Sequence, residues 1–379
     1  MSPILVASLY LHVLGIEVKC FKNLNSCPNN LRAYTVAVYD CYLVLQAVNL
    51  HIFKYFKLLK SRCLKVEFKH LCEELDKILR LDIGFRGVVD GLYSAARSIT
   101  GKPLTQAFSE IINSMSLGHI IVITGFKVVP KAVQETDGPS GAIVLAKTLA
   151  SLGFSVSLAI EEDSVEILKA GLEVFDLKCP VHPLPVNVPL SNLSQRLLRE
   201  LKPSALIFIE KAGANDAGVY HNMFGVDVTK YHAKVERLLE DARNMRSKII
   251  AIGDGGNEVG FGLVREAVRK LVPRGSDCGC PCRGGIAASS KADVVIVSSI
   301  SNIGCYAASC SLLVSNNSPW FYNHNLELKL LKAIIDFGAV DAKTGDSCMM
   351  VDGVPAEVIA SLMDVMAHMA ERYLKMRRL

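Results

Sequence analysis

Five short apolar runs, each ending in a cluster of glycine with acidic, amide or hydroxyl residues, constrain this chain more than any other feature. They occupy residues 119–123, 155–160, 205–209, 248–252 and 293–297. The clusters that follow are Thr124-Gly125, Glu161-Glu162-Asp163, Glu210-Lys211-Ala212-Gly213, Gly253-Asp254-Gly255-Gly256-Asn257-Glu258 and Ser298-Ser299-Ile300-Ser301-Asn302. β-branched runs that do not alternate with polar residues have the pattern of parallel strands covered on both faces by helices. In open parallel sheets ligands bind beyond the carboxyl ends of the strands, where these clusters fall. The pattern predicts one cleft assembled from several loops.

Helical periodicity fills the gaps between the runs. It covers residues 141–152, closed by Gly153 as a C-cap, then 231–245, 260–271 and 303–314. Alternation of strand and helix predicts an α/β fold, a doubly wound and mostly parallel sheet with helices on both faces. Two further helices, 326–337 and 355–379, flank a glycine-containing loop over 340–353 that reads as irregular.

With 379 residues, 50% hydrophobic and 21% charged, the chain is expected to be globular with a sizeable core. Its character changes near residue 75. Residues 1–70 hold nine Lys or Arg against three acids and no glycine after Gly15, whereas the remainder is close to neutral. Residues 1–75 read as an N-terminal extension, helical where spacing appears (Leu71, Leu75, Ile78 and Leu79 share a face), and residues 76–379 as the α/β domain. Without a basic patch after residue 70, nucleic acid is not an expected partner. The apolar stretches at 1–18 and 34–53 are interrupted by Glu17, Asp40, Gln46 and Asn49, so no membrane span is expected. The 12 cysteines do not form the framework of a small secreted domain and no secretory signal is apparent, which points to a reduced, cytoplasmic protein.

The glycine-rich loop 253–258 lacks both the Lys-Ser/Thr ending of a P-loop and the G-x-G-x-x-G spacing of a dinucleotide fold. Asp254 and Glu258 place negative charge where a phosphate would sit. A cation suits the loop better, either a divalent metal or the ammonium of an amino acid. The structural alternative is a helix cap on a tight turn. The segment Glu135-Thr136-Asp137-Gly138-Pro139-Ser140-Gly141 poses the same choice: Asp137 or Ser140 as an N-cap, or a polar ligand held by two carboxylates and a helix N-terminus. Glu210 and Lys211 read equally as a strand-end ion pair or as part of the cleft. Cys278, Cys280 and Cys282 admit a metal site, a redox pair or a plain loop. The last is favoured, because C-x-C-x-C is not the usual knuckle and none of the nine histidines lies close in sequence.

Four of these motifs carry a resemblance. Glu135-Thr136-Asp137-Gly138-Pro139, Glu210-Lys211-Ala212-Gly213 with Tyr220 and Asn222, Gly253-Asp254-Gly255-Gly256-Asn257-Glu258-Val259-Gly260, and Ser301-Asn302-Ile303-Gly304 with Tyr306 follow one another here. In that order they resemble the C-terminal domain of the D-glutamate cyclase family, over residues 80–355. The resemblance implies cyclisation of D-glutamate to 5-oxo-D-proline with loss of water. It implies that Asp254 or Glu258 holds the substrate ammonium and takes its proton, and that Lys211 and the Gly255 and Gly256 amides stabilise an oxyanion. Glu135, Thr136, Asp137, Gly138, Glu210, Asn257, Ser301 and Asn302 would complete the substrate site. A divalent metal, Mg²⁺ or Mn²⁺, would sit on Asp137, Asp254 or Glu258. Family members carry tryptophan where Ile303 stands, which predicts a smaller, aliphatic pocket wall. Larger relatives also carry a separate N-terminal domain with no counterpart in residues 1–75, so a non-catalytic domain that binds an amino acid, phosphate or nucleotide is the alternative. The expected partner is a small molecule and, in a homo-oligomer, further copies of the chain.

Overall fold

The computed structural model describes residues 67–186 and 188–378. The expectations for residues 1–66, including the apolar stretches at 1–18 and 34–53 and most of the helical extension, lie outside the described residues. Chain order runs α1 (67–79), α2 (Val89–Thr100), α3 (Leu104–Asn113), β1 (His119–Gly125), β2 (Lys127–Val128), β3 (Val133–Gln134), α4 (Pro139–Ser151), β4 (Ser155–Glu161), α5 (Val165–Val174) and β5 (Val181–Leu184). It continues with α6 (Ser191–Leu201), β6 (Ala205–Lys211), α7 (Glu236–Asn244), β7 (Lys248–Gly253), α8 (Arg265–Leu271), β8 (Val294–Val297), α9 (Ser301–Ser315), α10 (His324–Asp336), β9 (Met350–Val351), β10 (Val354–Pro355) and α11 (Ala356–Arg378).

Six strands form one parallel sheet in the order β5-β4-β1-β6-β7-β8. All five apolar runs are strands of it. From β1 the chain winds outward through β4 to β5, then returns to lie beside β1 as β6 and winds the other way. The order therefore reverses between β1 and β6, and a crevice opens beyond the carboxyl ends of those two strands. Helices cover both faces, and β1, β6 and β7 are buried almost throughout, which is why their sequences do not alternate. Leu71, Leu75, Ile78 and Leu79 are buried as the spacing of α1 requires.

The structure departs from the sequence pattern in three places. The edge strand β5, Val-His-Pro-Leu, was not evident, because a four-residue strand containing proline has little periodicity to show. The stretch 340–353 is not wholly irregular, since β9 and β10 close a hairpin through Asp352-Gly353, with φ of 53° and 74°. Two positive φ values at Asp-Gly are the mark of a tight hairpin turn whose twist suits the strands. Finally, neither Asp137 nor Ser140 caps α4. Its N-cap is Gly138, and no capping bond comes from that residue.

The caps of α4 and α9 are instead exchanged. Asn302, in the first turn of α9, accepts through Oδ1 from the Gly138 and Gly141 amides at 3.0 and 2.8 Å and donates through Nδ2 to the Thr136 carbonyl. Asp137, before α4, accepts from the Ser301 and Asn302 amides at 2.8 Å each. Each helix thus supplies acceptors for the orphan amides of the other. Asn302→Ala leaves the Gly138 amide on Asp137 Oδ1 but takes the acceptor from the Gly141 amide and the donor from the Thr136 carbonyl, and is expected to cost roughly 1–3 kcal/mol, as urea unfolding would measure.

Candidate active site

At the reversal point the backbone itself is bent to present an acid. Pairing of β1 with β6 is regular to Thr124 and Ile209, then jumps to Gly125 and Lys211, so Glu210 is the extra residue of a bulge, at φ 40°. A left-handed glutamate costs on the order of 1–3 kcal/mol and persists only where its surroundings enforce it. Here Ser301 donates its hydroxyl to Glu210 Oε2 at 2.5 Å. Gly138 packs on the same bulge: at φ 98°, a Cβ there would lie 2.6 Å from Thr124 Oγ1 and 3.0 Å from Glu210 Cβ.

The glycine loop after β7 is folded around Glu258. Its carboxylate accepts from the amides of Asp254 (2.9 Å), Gly255 (2.6 Å) and Gly256 (2.6 Å). An internal anion has thereby taken the concave nest of amides in which a phosphate would sit. Glu258 serves as a clamp that fixes the direction of Asp254, and the Gly255 and Gly256 amides are already spoken for. Asn257 donates through Nδ2 to the His221 carbonyl at 2.8 Å and lines the cleft.

Two further groups enter from outside the sheet. Arg86, on the loop between α1 and α2, donates through Nη1 to Asp254 Oδ1 at 2.7 Å and through Nη2 to Asp352 Oδ2. Arg86 is itself placed by Asp82, which accepts from the Arg86 and Gly87 amides. Asp352 is delivered by the β9–β10 turn. Together with Glu135, Glu210, Asp254, Asn257 and Lys343, these residues line a cavity of about 210 Å³. That is smaller than the roughly 300–1,000 Å³ that holds a drug-sized ligand, and it suits a small polar one.

Charge in this cavity is unbalanced. Burial pushes the carboxyl groups of Glu135, Glu210 and Asp254 well above the usual range, and the neighbouring carboxylates add to it; Arg86 only partly offsets this at Asp254. Burial and Asp352 raise Asp137 to about 7 despite the amides that it accepts. Crowded carboxylates in a dry site hold protons or require a cation. Asp254 carries the sharpest sign of this, since Oδ1 faces Arg86 while the buried Oδ2 has no hydrogen-bond partner. Oxygens of Asp137, Asp254 and Asp352 lie within 4.8 Å of one another, and so do those of Glu210, Asp254 and Glu258. An all-oxygen donor set around an orphaned carboxylate oxygen fits a hard divalent cation. The metal ligands expected from sequence are thereby redistributed: Asp254 is shared, Glu258 groups with Glu210, and Asp352 completes the set with Asp137.

Over residues 75–366 the sequence matches the family described as D-glutamate cyclase-like, C-terminal. The chain belongs to this family. Human mitochondrial D-glutamate cyclase is 26% identical over a match of 257 residues that covers 64% of this chain and 38% of the human protein. The chain therefore matches well under half the length of that relative. All the carboxylates of the cavity, and Arg86, fall within the span that matches the family.

Against the sequence reading for a member of this family, the structure brings together Glu135, Asp137, Glu210, Asp254, Asn257 and Glu258, with Ser301 and Asn302 as their hydrogen-bonded supports. Thr136 is fully buried and donates its hydroxyl to the Met350 carbonyl, which ties the site to the β9–β10 hairpin. Lys211 is not among the residues that line the cavity. Its fully buried ammonium pairs with Glu161 Oε1, and His232 Nδ1 lies 3.5 Å from the same oxygen. The oxyanion role read from sequence for Lys211 would therefore have to act from an ammonium already engaged by Glu161, outside the cavity lining. Ile303 belongs to the apolar core and not to the cavity wall, so the expected change in pocket shape at that position does not arise directly. Sequence reasoning missed Arg86 and Asp352. The Asp352-Gly353 turn signal was legible, but not where the turn points.

Proposed function

We propose that this chain cyclises D-glutamate to 5-oxo-D-proline. The observation that carries the reading is Asp254, which lines a small acid-lined cavity, held by Arg86 through one oxygen while the other is buried and unpartnered. In the reaction the substrate nitrogen forms a bond to the side-chain carboxyl carbon, one carbon–oxygen bond breaks, and water leaves. The ammonium must first lose a proton, and Asp254 Oδ2 is the acceptor placed for it. The nitrogen gives up two protons in all and the departing oxygen takes up two to leave as water, so a second carboxyl group must pass protons to that oxygen. Glu210 and Glu135, whose hold on a proton is strengthened by burial and by their neighbours, suit that role, whereas Arg86 pulls Asp254 the other way. Lys343 lines the cavity and donates to the Gly84 carbonyl, with no carboxylate partner among the described residues, and would receive the substrate's α-carboxylate. Asp137, Asp254 and Asp352 would hold a Mg²⁺ or Mn²⁺ ion. Such an ion, when bound, supplies positive charge that offsets the crowded acids and polarises a carboxylate.

The name of the human relative, D-glutamate cyclase, supports the substrate class, and its mitochondrial label belongs to that protein. For this chain we place the activity in the cytoplasm, in keeping with its free cysteines. Among the described residues no helix is long and apolar enough to cross a membrane. Because the chain matches only 38% of the relative, a binding domain without turnover is the second reading. A phosphate or nucleotide ligand is disfavoured, because Glu258 takes the amides it would need.

The test is incubation with D- and L-glutamate, with and without Mg²⁺ or Mn²⁺, following 5-oxoproline by mass spectrometry. Product from D-glutamate is expected. Thermal stabilisation by D-glutamate without product would favour the binding domain, and neither effect would overturn both readings. Added Mg²⁺ or Mn²⁺ is expected to raise the melting temperature more at about pH 8 than at about pH 6, because metal must displace protons from the raised carboxyl groups.

A further inference from the structure

The cysteine loop gains from the fold what it lacks in sequence. Cys278, Cys280 and Cys282 lie on the loop between α8 and β8, and His221 lies on the loop that follows β6. In the folded chain His221 Nε2 is 3.2 Å from Cys280 Sγ and 3.5 Å from Cys282 Sγ. The three sulfurs are mutually 3.1, 3.4 and 3.3 Å apart. All four ligand atoms fall within 4.8 Å of one another. Zinc–sulfur and zinc–nitrogen bonds of about 2.3 and 2.0 Å give a tetrahedron with edges of roughly 3.8 and 3.5 Å. The His221–sulfur edges come within about 0.3 Å of the second value, the sulfur–sulfur edges are shorter than the first by roughly 0.4–0.7 Å, and all lie far beyond the roughly 2.05 Å of a disulfide. We infer that His221, Cys278, Cys280 and Cys282 form a Cys₃His site for one zinc ion.

Four protein ligands leave no open position, which makes the site structural in kind. Its surroundings have the character of a thiolate centre. The Gly284 amide and Asn215 Nδ2 both point at Cys282 Sγ from 3.4 Å, and Asn215 is held in place by a 2.8 Å bond to the Gly285 carbonyl. Outer hydrogen bonds of this sort orient and stabilise ligating sulfur. The loops approach closely where only glycine fits: at Gly225, φ 80°, a Cβ would lie 2.1 Å from the Cys278 carbonyl oxygen.

Zinc here would join a loop that walls the cavity to a loop that braces the glycine turn. Asn222, Met223 and Phe224, directly after His221, line it, and the His221 carbonyl receives Asn257 of the glycine loop. On the other side the Ala288 amide donates to the Gly256 carbonyl. The inference does not rest on the cyclase reading, since the site is separate from the carboxylate cluster and draws on different residues.

The test is metal analysis of the full chain purified without chelator. One zinc per chain is expected, released on titration with an organomercurial and detected with a colorimetric chelator. Replacement by Co²⁺ should give the intense visible bands of a tetrahedral ion together with sulfur-to-metal charge transfer. Cys280→Ser and His221→Ala should each lose stoichiometric zinc. The wild-type analysis and the cobalt spectrum stand even if these variants fail to fold. Folded wild-type protein that neither contains nor takes up zinc would overturn the inference, as would an iron chromophore or a mass two hydrogens short from a disulfide among these cysteines.

Discussion

Asp254→Asn is expected to lower 5-oxoproline formation by roughly 10²–10⁴-fold while leaving the fold intact, the scale on which a positioned general base contributes. Asparagine keeps an oxygen for the Arg86 guanidinium, and Arg86 keeps its bond to Asp352, so the frame of the cavity survives. What is lost is the basic, buried oxygen that has no partner. Stability should not fall. Burial and the neighbouring acids already oppose ionisation of Asp254, so removing the charge relieves repulsion with Asp137 and Asp352. A variant that keeps its melting temperature and loses turnover would fit the general-base role. An active variant excludes Asp254 as the base and moves the role to another acid of the cavity. A variant that unfolds instead would show that the Arg86 bridge depends on the full charge.

The sheet was legible because burial on both faces leaves a continuous apolar run, and every strand with that signature lies in its interior or on the β8 edge. The proline-containing edge strand β5 left no such run. In the site, the acids at strand ends were legible by position alone, as were Asp137, Glu210 and Asp254. Function inside the cluster was not, because it depends on direction. Glu258 turns back on its own loop, and Lys211 is taken up by Glu161 outside the cavity lining. Arg86 and Asp352 come from a loop before the first strand and a hairpin after the last, and no local pattern ties them to the sheet. His221 is the same problem at longer range, 59 positions from Cys280 in the chain and 3.2 Å from it in space. Sequence spacing finds ligands that share a loop, whereas this constellation is made by docking two loops.

The Glu161–Lys211 pair shows how much the carboxyl edge of the sheet depends on one buried contact. Both side chains are fully buried, Glu161 at the end of β4 and Lys211 at the end of β6, on either side of β1. The pair crosses over Gly125, where a Cβ would lie 2.3 Å from Glu161 Oε2, so only glycine leaves room for it. Glu161 Oε1 also accepts from the Ala233 amide at 3.1 Å, which ties in the loop before α7. Glu161→Gln leaves a buried ammonium uncompensated, and Lys211→Met leaves a buried carboxylate. Each is expected to destabilise the fold by roughly 3–5 kcal/mol. The double variant should cost clearly less than the two single losses together, as a double-mutant cycle in urea would show. Against the upward push of burial, Lys211 and His232 hold Glu161 down at about 2, below its unfolded value. The contribution of Glu161 is then fully present above about pH 5 and is lost as pH falls from there towards about 2, because the unfolded state takes up its proton first. The gap in stability between wild type and Glu161→Gln should therefore narrow on acidification over that range. A gap that stays constant would mean that the pair is held by packing and hydrogen bonds and not by its charges.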